Sequence, residues 1–148
     1  MWRKLKNLFL NCRTYADLSP DLATRHSINC WLRSRRSLSF SEWHECWWQP
    51  KAVSDRVSRF VYDSLKRYSG LQLACVRPSD RLEEDLCLSL VCWYDWNIRL
   101  CEDFWQCFGI DLTWELNLQA LSTLEDLVLF LDRQLLAATN LPLEPQIK

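Results

Sequence analysis

Glycine is nearly missing from this chain: Gly70 and Gly109 are the only two among 148 residues. Hairpin turns and strand bulges rely on glycine's freedom at positive φ, so the shortage argues against a turn-rich β-sandwich or barrel. It also excludes a glycine-rich phosphate loop. No run of 18 apolar residues occurs, so no transmembrane segment is expected. The basic start MWRKLKNLFL is not followed by an apolar stretch with a small-residue cleavage site. No signal peptide is expected, and the expected compartment is the cytoplasm. Histidine is scarce, with only His26 and His44, and the eight cysteines contain no Cys-x-x-Cys pair. That pattern offers neither a zinc chelate nor a local Cys–His nucleophile, so no metal site is expected. In a reducing compartment the cysteines read as small buried hydrophobes rather than disulfide partners.

Tryptophan, by contrast, is abundant, with nine residues. A chain of this length suits one folded unit that buries about 68–70% of its unfolded surface. The net charge of −1 conceals a split: 14 basic and 7 acidic residues in 1–80, against 4 and 12 in 81–148. The two halves either attract each other within one fold or face different partners. The basic residues are scattered rather than clustered, so no nucleic-acid partner is expected.

Helical spacing runs through nearly the whole chain. The segment 1–10 is a basic amphipathic turn that docks on its own domain or touches a membrane surface. A helix is predicted from Pro20 to about Leu32, and another behind Ser39, which has capping-box spacing to Glu42. Val53, Val57, Phe60, Val61, Leu65 and Tyr68 then follow a helical repeat that Gly70 stops. A long connection to about Leu88 contains Asp80 and Glu83, placed to cap one short turn. Glu83, Glu84 and Asp85 read as a solvated turn rather than catalytic carboxylates. A central helix is predicted over about 90–108. At about 100° per residue its polar face holds Asp95, Arg99, Glu102, Asp103 and Gln106. Its apolar arc covers roughly 220°, twice that of an ordinary surface helix, so it is expected to be covered on more than one side. Asn97 falls inside that arc and reads as a buried, hydrogen-bonded amide or as a polar contact in a tryptophan-lined pocket. After a short helix in FGIDLTWELNLQAL comes a last helix capped by Thr123, with Asp126 favouring its dipole. Its stripe is Leu124, Leu127, Val128, Leu131 and Leu135, and the tail from Pro142 onward is expected to fray.

Three short pieces, RLEEDL before the central helix, FGIDL after it and STLEDLVLFL in the last helix, occur in an order and spacing that resemble the acyl carrier proteins. The resemblance covers roughly 52–137. It implies an acyl-carrier-like helical bundle over 51–148, and with the helical spacing of 1–50 the expected fold is all-α, with a Trp-rich helical N-terminal extension, 1–50, packed on that core. In that family a serine five residues after the Asp of D-L-G holds a 4'-phosphopantetheine arm. Counting five from Asp85, or back from Phe104, gives Leu90, while Cys87 stands at the family's glycine. Ser89 is one residue early, which rotates a helical side chain by about 100°. Ser89 is read as a helix cap, as a shifted attachment site, or as both. The family's partner-binding face maps onto Cys92, Asp95, Ile98 and Glu102. The expected function is therefore a non-enzymatic interaction protein without a cofactor, which binds a protein with a basic patch through Asp95, Ile98 and Glu102. The alternatives are a divergent carrier with the arm on Ser89, or a small-molecule or lipid binder with an aromatic pocket at Trp93, Trp96 and Asn97.

Overall fold

Caps set the helix boundaries in the computed structural model, which describes residues 19–140. Asp21 accepts from the Thr24 amide at 3.0 Å and starts α1, Leu22–Leu32, two residues later than Pro20 suggested. Pro20 precedes the cap because Asp21 supplies the acceptor that a proline lacks. Ser39 accepts from the Glu42 amide and opens α2, Phe40–Trp47. A 3₁₀ turn, Gln49–Lys51, leads through Ala52 at φ 58 to α3, Asp55–Ser69, which Gly70 ends at φ 67. The connection holds a second 3₁₀ turn, Leu73–Cys75. Then follow α4, Leu88–Val91, and α5, Trp96–Phe108. A last 3₁₀ turn, Leu118–Ala120, precedes α6, Leu124–Thr139, opened by a reciprocal capping box between Thr123 and Asp126. The described residues form an all-α bundle. Its only β-type pairing among them is one isolated bridge between Arg81 and Thr123. No helix among the described residues is long and apolar enough to cross a membrane.

Helix α3 is central. It packs on α2, α5 and α6, while α1 packs on α4. One core cluster joins Leu32, Trp43 and Trp48 to Val61, Leu65, Leu100, Phe104, Leu127 and Leu131, so 19–50 and the rest share a single apolar interior. Two large indoles anchor it. Trp43 is fully buried, meets Trp48 edge-on at 5.3 Å and donates its Nε1–H to the Val76 carbonyl at 2.9 Å. That bond satisfies the polar end of an otherwise apolar ring.

Several expectations are corrected. The predicted central helix is two pieces, interrupted over Cys92–Asp95. A continuous helix would spread Leu88, Val91, Cys92, Trp96, Leu100 and Phe104 over an arc too wide for one interface. The break re-aims the second piece, and all six are buried. Asp80 and Glu83 do not cap a shared turn: Asp80 pairs with Arg35, and Glu83 accepts from Ser89. Leu135 is only half-buried. Cys75 and Cys92 are buried as expected, but Cys30, Cys46 and Cys107 lie exposed on the outer faces of α1, α2 and α5. The amphipathic segment 1–10 and the tail from Pro142 lie outside the described residues.

Candidate functional site

Helix α5 places buried residues at four-residue spacing, Trp96, Leu100 and Phe104. That narrow stripe leaves the remaining apolar residues of the predicted wide arc uncovered. Ile98 is 57% and Trp105 60% exposed, seven residues and two helical turns apart on one face. Part of the predicted wide arc therefore stays open to solvent. Asp95, at the N-cap position, and Glu102 are exposed beside Ile98, and neither forms an ion pair among the described residues. Acidic Asp111 and Glu115 are exposed on the following loop, as is the ring of Trp114. Thr113 donates through both its amide and its hydroxyl to Asp111, which holds that carboxyl below its ordinary range.

Between α5 and that loop lies a cleft of about 420 Å³ lined by Asn97, Ile98, Cys101, Thr113, Leu116 and Leu118. Asn97 is exposed at its rim, not a buried amide. The side of α5 that carries Asn97 faces this open cleft rather than the core. Asn97 is thus separated from the tryptophans with which it was grouped. Trp93 and Trp96 line another cavity, on the far side of α5, with Arg25, Arg67, Tyr68 and Arg99.

Ser89 is exposed on the second residue of α4. It is not the cap. Cys87 holds the cap position with φ 49, and the carboxylate of Glu83 accepts from the Ser89 hydroxyl at 2.6 Å and from its amide at 3.3 Å. A left-handed φ is unusual for a side chain larger than hydrogen, and it falls on the residue aligned with the carrier family's glycine. Asp85 accepts from the Arg81 amide at 2.8 Å, which lowers its pKa and tightens the turn before α4. The Cys92 thiol, aligned with an acid in the resemblance, is 2% exposed, and burial pushes it up to about 12. It contributes neither charge nor contact area to an outer face.

No family model matches the chain, and comparison with curated proteins and with solved structures finds no match.

Two groups escaped the sequence reading. Trp105 was legible from helical spacing, seven residues after Ile98, but was not singled out. Arg25, Arg67 and Arg99 carry no local signal, because they come from three helices far apart in the chain.

Proposed function

We propose that the chain is a non-enzymatic, acyl-carrier-like interaction protein that binds a protein partner through the outer face of α5. The observation that carries the reading is the exposure of Ile98 and Trp105 on one helical face beside the unpaired carboxylates of Asp95 and Glu102. Large apolar side chains flanked by two carboxylates suit an interface with an apolar centre and a polar rim. The sign specifies the partner, a surface that sets basic residues around an apolar pocket. The acidic bias of residues 81–148 gives that attraction longer range.

A photo-crosslinking residue placed at Ile98 would capture and identify the partner, whose affinity is then measured with purified protein. Asp95→Lys with Glu102→Lys is expected to weaken binding at least about tenfold, or about 1.4 kcal/mol, without lowering the melting temperature. A partner that binds the double variant as tightly as the native chain refutes the reading.

A second reading rests on Ser89. Its hydroxyl is exposed and bonded to a carboxylate, beside a left-handed residue at the aligned glycine. These features support a divergent carrier with 4'-phosphopantetheine on Ser89. Intact mass after co-expression with a broad-specificity phosphopantetheinyl transferase separates the two. A gain of one arm that Ser89→Ala abolishes supports the carrier; an unmodified, folded protein excludes it.

A further inference from the structure

Arginines converge where no acidic partner is waiting for all of them. Arg25 from α1, Arg67 from α3 and Arg99 from α5 line a cavity of about 420 Å³ with Tyr68, Trp93 and Trp96. The volume falls within the roughly 300–1,000 Å³ of small-molecule sites. Asp103, one turn after Arg99, is already engaged: Arg67 Nη2 reaches it at 2.7 Å and the Tyr68 hydroxyl donates to the same oxygen. Arg25 and Arg99 form no ion pair among the described residues.

The Arg25 side chain is held in place rather than free. Its Nη2 donates to the Val91 carbonyl at 2.8 Å, and its Cδ and Nε run against Gly70, where a methyl would meet them at 3.0 Å. Its Nε is buried and has no hydrogen-bond partner among the described residues. A buried donor without an acceptor is unfavourable. Two guanidiniums thus stand without an ion pair among the described residues, one of them fixed, and line the cavity with the indoles of Trp93 and Trp96.

We propose that this cavity binds a phosphomonoester carried on an aromatic or otherwise apolar body. A phosphomonoester near neutral pH carries close to two negative charges, which match two guanidiniums that form no ion pair among the described residues, and its oxygens suit arginine's forked donors. The indole walls take the apolar body. The site is independent of the docking face: none of Asp95, Ile98 and Glu102 lines it. A free aromatic phosphate and the headgroup of a phosphatidic acid share this chemistry.

Tryptophan fluorescence and calorimetry on the full chain test it with phenyl phosphate, inorganic phosphate and phenol, and vesicle flotation with phosphatidylcholine with and without phosphatidic acid. Arg99→Gln is the decisive variant, since Arg99 is exposed and its loss leaves the packing intact. Arg133→Gln, outside the cavity, is the control. Phenyl phosphate binding at least about tenfold tighter than phosphate or phenol, and about tenfold weaker in Arg99→Gln, supports a free ligand. Flotation that needs phosphatidic acid and Arg99 supports the headgroup. Binding in neither arm, binding that Arg99→Gln leaves unchanged, or phenyl phosphate no tighter than inorganic phosphate without flotation overturns the proposal.

Discussion

Arg35 and Asp80 meet across 45 residues of chain, two guanidinium nitrogens on two carboxylate oxygens at 2.7 and 2.9 Å. The fork also reaches the Cys75 carbonyl, and the Arg77 amide donates to the same carboxylate. The Leu124 amide in turn donates to the Asp80 carbonyl. One residue thereby fixes the end of α1, the long connection and the start of α6. The hydrogen bond that Arg35 donates to Asp80 raises the pKa of Arg35 further.

Removing one member of so covered a pair strands the other, and the Asp80 side chain is only 5% exposed. Asp80→Ala is expected to cost about 3–5 kcal/mol in urea unfolding, well above a surface pair. A loss below about 1 kcal/mol, the surface-pair value, would show that the pair does not hold the connection.

Gly70 and Gly109 both adopt a left-handed backbone, at φ 67 and 69, but their surroundings differ. A methyl at Gly70 would meet Arg25 Cδ and Nε at 3.0 Å, whereas nothing lies within 4 Å at Gly109. Gly109→Ala is expected to cost only the backbone term, about 1–2 kcal/mol. Gly70→Ala should cost more, because Arg25 must also move. Equal losses in parallel unfolding curves would show that Arg25 is not pinned there.

Tyr68 supplies the pH prediction. Burial, then its bond to Asp103, raises its phenol from 10.0 to about 12. The folded pKa lies above the unfolded one, so this stability is fully present below pH 10 and is lost as pH rises toward 12. The urea midpoint should fall over that window, and Tyr68→Phe should flatten the fall. Parallel slopes for the native and variant proteins would count against it.

Local chemistry was readable in advance. Ser39 and Thr123 accept from the amide three residues on, and Gly70 ends α3, because each device acts within a few residues of itself. The buried stripe from Val57 to Tyr68 followed from periodicity alone. The break over Cys92–Asp95 did not, since a run apolar on most sides satisfies a continuous helix as well as a broken one. Asn97 was misplaced for the same reason.

The sequence by itself determined that the described chain is helical, where α2, α3 and α6 begin or end, and that the acidic residues crowd its second half. Tertiary packing decided the rest. It chose which apolar residues of α5 reach the core and which, Ile98 and Trp105, stay outside. It brought Arg25, Arg67 and Arg99 to one cavity. Burial is a property of what lies opposite a side chain, and no periodicity within a single helix records what another helix will place there.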